Sequence, residues 1–240
     1  MSISKTASPL VQLESVKFGW PGREAVIDFQ QLEIVAGEHC FIQGPSGSGK
    51  STLLNLIGGV LLPQSGSIQV LDQDIASLRA AQRDLFRADH IGFIFQQFNL
   101  IPYLSILENV MLPCRFSAKR RDQSIQRSGS VESEAHYLLS HLYGNSGPEL
   151  SQNVAELSVG QQQRVAAARA LMGQPELIIA DEPTSSLDIE NREAFMNLLF
   201  DEVRQAQSTL LFVSHDPAYK QQFNRCIDLD TLNQSVRGRR

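Results

Sequence analysis

The chain has 240 residues, enough for one large α/β domain or two small ones and ample for a buried core. A hydrophobic content of 42%, a charged content of 20% and a formal net charge of -5 are ordinary for a globular protein and give no global argument for nucleic acid or an anionic membrane as partner. No apolar run approaches a membrane span, the polar start Met1 to Pro9 carries no secretory signal, and the cysteines Cys40, Cys114 and Cys226 are too widely spaced for a metal site, which together fit a cytoplasmic protein with idle thiols.

In chain order, Leu13 to Phe18 and Ile27 to Val35 read as short strands broken by the turn Trp20-Pro21-Gly22. Trp20 either packs at the end of that hairpin or offers its π-face to a nucleobase; local pattern leaves both open. The apolar run His39 to Ile42 leads into Gly44-Pro45-Ser46-Gly47-Ser48-Gly49-Lys50-Ser51-Thr52, which fits the phosphate-binding pattern G-x-x-x-x-G-K-[ST]. A helical pattern, Ser51 to Ile57, follows. The three glycines let backbone N–H groups close on phosphate oxygens, and the helix points its positive end at the same anion. Lys50 then reaches the β- and γ-phosphates, and the Ser51 hydroxyl suits Mg²⁺. A Gly/Ser-rich turn that happens to precede a lysine is the competing account, and the strand–loop–helix context argues against it.

Gly66 to Val70 reads as a strand, and Ser77 to Arg87 as a helix with Leu78, Leu85 and Phe86 on one side. Ile91 to Phe95 is a dense β-type run ending at Gln96. The stretch Phe98 to Pro113 is apolar beyond the needs of a connection, so half of it is expected to be core and half a patch for a partner. Arg115 to Ser133 holds Lys119, Arg120, Arg121 and Arg127 without interleaved aromatics, which favours a solvated helix face or mobile loop over a nucleic-acid site. Helical periodicity resumes from Glu132 to Leu142 and ends at Gly144-Asn145.

Ser158 reads as the N-cap of a helix running to about Met172. Leu177 to Ala180 reads as a buried strand delivering Asp181 and Glu182, and Ser186-Leu187-Asp188 as the turn before a helix over Asn191 to Ala206. Thr209 to Val213 is a core strand with His215 just past its end, and a frayed basic tail is expected over 231–240. No repeat and no linker splits the chain.

Ligands of open α/β sheets sit outside the carboxyl ends of the strands, so the 44–52 loop, Asp181-Glu182 and His215 are expected to converge on one phosphate site. Asp181 suits a Mg²⁺-holding carboxylate, Glu182 a base for the attacking water, and His215 a contact to transition-state oxygens.

With these residues in hand, the chain resembles the ATP-binding subunits of ABC transporters over roughly Leu13 to Leu229. The motifs stand in order: the Walker A loop Gly44–Thr52, the Q-loop glutamine Gln96, the signature Leu157–Gln161, Walker B Leu177–Asp181 with Glu182, the D-loop Ser185–Asp188 and the switch histidine His215. The resemblance implies an α/β fold: a P-loop NTPase core with a mostly parallel sheet, an N-terminal antiparallel β subdomain and an inserted α-helical signature subdomain. Expected boundaries are 10–96 and 174–230 for the β subdomain and core, and 97–173 for the helical part. It also implies that Trp20 stacks on adenine, that Ser51, Gln96 and Asp181 hold Mg²⁺, and that Gln96, Glu182 and His215 serve hydrolysis. Two copies would sandwich ATP head to tail, with Ser158, Gly160, Gln161 and Asp188 acting in trans. A separate membrane permease, docked near Gln96 and Phe98–Met111, would place the subunit on the cytoplasmic face of the inner membrane.

Within the family, Ile91-Gly92-Phe93-Ile94-Phe95-Gln96, Leu100-Ile101-Pro102 and Glu108-Asn109-Val110 resemble the lipoprotein-release and macrolide-exporter branch, though importers share parts of them. Two departures stand out: Val159 replaces the usual signature glycine, and Asn153-Val154-Ala155-Glu156 lacks the proline often found there. A soluble ABC-type ATPase working on nucleic acid or ribosomes would be expected to carry two cassettes or a long inserted arm. A regulatory module that has lost turnover is disfavoured by Glu182 and His215. Because Val159 is β-branched, it is expected at negative φ, early in the signature helix.

Overall fold

In the computed structural model, described for residues 9–143, 147–185, 187 and 189–234, packing divides the chain into two units, residues 9–83 with 211–234 and residues 84–210. The second unit extends beyond the expected 97–173 insertion at both ends, because strands as well as helices belong to it.

In the first unit, β1 (Pro9–Gly19) and β2 (Ala25–Val35) form an antiparallel pair, each longer than the expected strand. Ser15 adopts φ 48, and this bulge lets Leu13 and Val16 both face the core although they are three positions apart. β3 (His39–Gln43) is buried along most of its length, as a continuous apolar run requires. It feeds the loop 44–49 and then α1 (Lys50–Ile57), which buries Leu53, Leu54, Leu56 and Ile57. β4 (Ser65–Val70) pairs antiparallel with β1, and β5 (Gln73–Asp74) with β4.

α2 (Ala80–His90) carries the chain into the second unit. It starts three residues later than the expected Ser77, no residue of it is buried, and Leu85 is 53% exposed, so the anticipated apolar face is not a core face. β6 (Ile91–Ile94) follows, then α3 (Ile106–Phe116), α4 (Ala118–Ser128), α5 (Val131–Tyr143), α6 (Val159–Leu171) and β7 (Leu177–Asp181), which pairs parallel with β6. Gly92 lets β6 lie against α6, since a Cβ there would overlap the Ala170 carbonyl oxygen. α7 (Ile189–Gln205) precedes β8 (Thr209–Val213), within which the chain returns to the first unit. β9 (Arg225–Asp228) pairs parallel with β3, and α8 (Leu229–Leu232) closes the described fold.

Two expectations need correction. The basic stretch is largely helical and only partly a solvated face: Arg115 and Arg121 are exposed, but Arg120 of α4 is 2% exposed, and Arg127 pairs with the buried Glu134 and Glu202. Carboxylate partners account for the burial of Arg127, whereas Arg120 is enclosed with its Nε and Nη2 shielded from water. The tail also begins later than residue 231, because Thr231 lies in α8 and Asn233 is fully buried. The helix end at Gly144-Asn145, Ser186 and Asp188, the segment 1–8 and the tail residues 235–240 lie outside the described residues. Among those described, no helix is long and apolar enough to cross a membrane.

Glu176, just before β7, accepts from Lys119 and lies 3.2 Å from His90 Nδ1. Burial raises its carboxyl, but these two contacts outweigh burial and hold it at about 2, below the ordinary 4.5. A carboxylate depressed in the folded state stabilises above its unfolded pKa, and that contribution disappears as the pH falls through the folded value. The urea midpoint of the native chain should therefore drop more steeply between pH 4.5 and 2 than that of Glu176→Gln. Parallel profiles for the two proteins would show that the cluster adds nothing.

Candidate phosphate-binding site

The phosphate-loop residues lie in the first unit. Gly49 is the N-cap of α1 at φ 98, and a Cβ there would come within 2.8 Å of Ile27 Cδ1. No side chain caps α1 and no acidic residue stands in its first turn, so its leading amides keep their positive character for an incoming anion. The loop turns on Ser48 N–H donating to the Pro45 carbonyl at 3.2 Å. Ser48 and Gly49 are buried, whereas Pro45, Ser46, Gly47 and Ser51 are exposed and Gly44 and Thr52 half-buried. Lys50 is buried, and its Nζ donates to the carbonyls of Gly44 at 2.8 Å and Pro45 at 2.9 Å. The ammonium thus lies folded over its own loop.

Asn233 ties this loop to its surroundings. Its Nδ2 donates to the Val26 carbonyl at 2.7 Å and the Ser48 carbonyl at 3.3 Å, while its Oδ1 accepts from Asp28 N–H at 2.8 Å. Sequence reading assigned no role to Asn233, and its partners are too distant in the chain for any local signal. Trp20 follows β1, is 44% exposed, and meets Phe18 edge to face at 5.2 Å. That contact props one edge of the indole on the core and leaves a face accessible.

His215 belongs to the same unit. It lines a cavity of about 250 Å³ whose wall also includes Gln43, Gly44, Pro45, Asp228 and Asp230. The structure therefore brings the start of the phosphate loop and the histidine past β8 onto one pocket.

The second unit carries the remaining residues. Asp181 ends β7, half-buried, and Glu182 follows at φ 48, a left-handed conformation uncommon for a side-chain-bearing residue. This twist reverses the chain at once, and Ser185 N–H closes the turn on the Glu182 carbonyl at 3.2 Å. Two side chains hold the segment beyond: Gln163 of α6 donates to the Pro183 carbonyl, and Arg192 Nη2 donates to the Leu187 carbonyl at 2.9 Å. Gln163 is fully buried, and its position inside the helical run Gln161–Gln163 was its only signal in the sequence.

Ser158 is the N-cap of α6, as expected, and completes a capping box with Gln161. Gln161 N–H donates to Ser158 Oγ at 3.3 Å, and Ser158 N–H donates to Gln161 Oε1 at 2.9 Å. The cap uses Ser158 Oγ as an acceptor, so the hydroxyl proton is not consumed by it. Val159 is the first helical residue, absent from the positive-φ positions and 48% exposed, in agreement with the expected backbone. Gly160 is half-buried, with room for a Cβ 3.4 Å from Leu187 Cδ2. Gln96 is exposed just beyond β6. Phe98 and Asn99, two and three positions on, both sit at positive φ, and Arg169 of α6 donates to each of their carbonyls at 2.6 Å. In the apolar stretch after Gln96, Phe98, Ile106 and Val110 are buried and Tyr103 is 79% exposed, so it divides between core and surface. Asp188 lies outside the described residues.

Comparison with known proteins bears on the same stretch. The family model described as ABC transporter matches residues 28–185. The chain is 35% identical over 227 residues to the lipoprotein-releasing system ATP-binding protein LolD of Saccharophagus degradans, covering 93% of this chain and 96% of that protein. It is 38% identical over 225 residues to the macrolide export ATP-binding/permease protein MacB of Shigella flexneri, of which it spans 33%. Among solved structures, the dimeric ATP-binding cassette MJ0796 in a post-hydrolysis state bound to ADP and Pi matches with a TM-score of 0.79 and 35% identity, covering 94% of this chain and 95% of that one. A second dimeric structure of MJ0796 matches with a TM-score of 0.76. The chain belongs to the ABC transporter family, as an ATP-binding cassette of the branch that includes LolD and MacB.

Proposed function

We propose that two copies of this chain close head to tail on two ATP molecules and that their cycle of closure and hydrolysis drives a separate permease of the lipoprotein-release or macrolide-export type. The observation that carries the site assignment is the shared pocket of Gly44, Pro45 and His215 beside a Gly-rich loop and an uncapped helix N-terminus. The dimeric MJ0796 cassettes support the pairing. The permease would dock over the exposed part of Phe98–Met111, around Tyr103, and hold the cassette at the cytoplasmic face of the membrane.

In this reading Trp20 stacks on adenine, and backbone N–H groups within residues 44–52 receive the phosphates. Lys50 exchanges the Gly44 and Pro45 carbonyls for β- and γ-phosphate oxygens, trading two neutral acceptors for a charged one. Ser51, Gln96 and Asp181 would supply the hydroxyl, amide and carboxylate ligands for a Mg²⁺ ion bound with the substrate phosphates. The ion would neutralise charge developing on those phosphates. Glu182 takes the proton of the attacking water, and His215 donates to the γ-phosphate. From the partner copy, the Ser158 hydroxyl, the Gly160 N–H, Gln161 and Asp188 complete the far side.

Lys50→Ala should weaken ATP binding at least about tenfold, since a charge-assisted contact is worth on the order of 1.5–3 kcal/mol. Unchanged affinity by calorimetry would remove Lys50 from the phosphate site. Glu182→Gln should retain ATP while losing about 10²–10⁴ in rate, and should elute as a dimer on gel filtration with ATP and Mg²⁺. A strictly monomeric elution would contradict the sandwich. Because Val159 already has ordinary helical geometry, Val159→Gly should change the ATPase rate by less than about tenfold, whereas Ser158→Arg should nearly abolish it.

A further inference from the structure

The last described segment of the first unit meets the phosphate loop at both ends. Where β9 finishes beside β3, Asp228 Oδ2 accepts from Gln43 Nε2 at 2.8 Å. The next residue, Leu229, is fully buried, and a Cβ on Gly44 would come within 3.4 Å of the Leu229 Cβ. α8 then makes one short turn, capped by Asp228, and Asn233 N–H closes it on the Leu229 carbonyl at 2.8 Å. That turn delivers the fully buried Asn233 side chain to the far end of the loop. Nδ2 donates to the Ser48 carbonyl at 3.3 Å and to the Val26 carbonyl at 2.7 Å, and Oδ1 accepts from Asp28 N–H at 2.8 Å. Val26 and Asp28 flank Ile27 of β2, against which Gly49 lies so closely that a Cβ would come within 2.8 Å of Ile27 Cδ1. One side chain thus ties the loop to the strand beneath it. An apolar side chain of similar size would fill the same space without the cost of burying an amide, so the three backbone groups explain why an asparagine stands here.

We propose that Asn233 is a positioning residue for ATP: by holding the Ser48 carbonyl against β2 it sets the direction of the Gly49 N–H at the head of α1. The two groups belong to one planar, trans peptide unit, in which the carbonyl and the N–H point opposite ways. Fixing the carbonyl on Asn233 therefore aims the N–H away from Asn233, and Gly49, with no Cβ and φ 98, cannot supply that restraint itself. A restrained donor leaves less for the nucleotide to order on binding. Coupling of this kind is reciprocal, so ATP on the loop should steady α8 in return. The proposal rests on the reading of residues 44–52 as the phosphate site.

The test joins amide hydrogen exchange to steady-state ATPase kinetics on the full chain. Without nucleotide, Asn233→Ala should speed exchange over residues 44–52. It should also raise KM for ATP about three- to tenfold, the size of one lost hydrogen bond, with kcat within about twofold. Asn233→Asp keeps the acceptor for Asp28 N–H but sets an acceptor against the Val26 and Ser48 carbonyls, so it should raise KM at least as much. If Asn233→Ala does not fold, Asn233→Asp decides the question. Val70→Ala controls for lost stability: it truncates a buried residue of β4, which β1 separates from β2, and should leave KM within about twofold. In the native chain ATP should slow exchange at α8 more than at β4. Unchanged exchange over 44–52 in the Asn233 variants, a KM rise matched by Val70→Ala, a loss confined to kcat, or exchange at α8 that ignores ATP would each overturn the proposal. Faster exchange with an unmoved KM overturns it too, and Lys50→Ala then separates the causes. If Lys50→Ala weakens ATP binding, the loop is the phosphate site and Asn233 only stabilises it; if it does not, the phosphate-site reading itself has failed.

Discussion

The loop between β3 and α1 leads into a helix N-terminus that no side chain caps, so a patch of positive backbone dipole stands at this end of α1. A cation placed beside that patch poses a problem unless its charge is absorbed elsewhere. Lys50 meets it by donating to the Gly44 and Pro45 carbonyls, which absorb part of the ammonium charge within the loop itself. Asn233 contributes from outside by holding the Ser48 carbonyl, and Gly49 keeps Cβ atoms out of the close approach to Ile27. The loop is thus held by contacts within the chain itself.

In the second unit the corresponding role falls to α6. Its N-terminus is fixed by the Ser158–Gln161 capping box. Its middle holds the Pro183 carbonyl through Gln163, and its C-terminal half holds the Phe98 and Asn99 carbonyls through Arg169. Burial lowers the Arg169 guanidinium to about 10, so it remains charged at neutral pH and its hydrogen bonds stay charge-assisted. One helix of 13 residues therefore holds the signature turn, the segment after Glu182 and the segment after Gln96. Helices are stiff along their axis, so a displacement at one of these attachments is felt at the others.

What was legible in the sequence follows the range of the forces involved. β3, β7 and β8 are continuous apolar runs because they are buried on both faces, and such runs announce themselves without tertiary information. The cap at Ser158 was equally readable, since donor and acceptor lie within three residues of each other. The family assignment needed only the order of short motifs. The burial of Arg120 was not readable: four basic residues in a polar stretch look solvated, and only the packing of α4 shows otherwise. Asn233 was missed for a related reason, because its bonds to Asp28 and Val26 span 205 and 207 positions. The left-handed backbone of Glu182 was hidden too, since glycine is the residue that marks such a turn and none stands there.

The pairing of β3 with β9 has a consequence for how the chain comes to be folded. Strands that lie side by side in the first unit are joined only after the chain has left that unit and returned: His39 N–H donates to Asn224 Oδ1, 185 positions later. At about 5–20 residues per second, ribosomal synthesis delays that closure by roughly ten to forty seconds after β3 appears. During this interval one edge of β3 lacks the β9 partner that covers it in the finished fold, with Cys40, Phe41 and Ile42 at hand for mispairing. The second unit, whose residues are contiguous in the chain, faces no such wait. Synthesis therefore delivers every residue of the second unit while β3 and the phosphate loop still await β9.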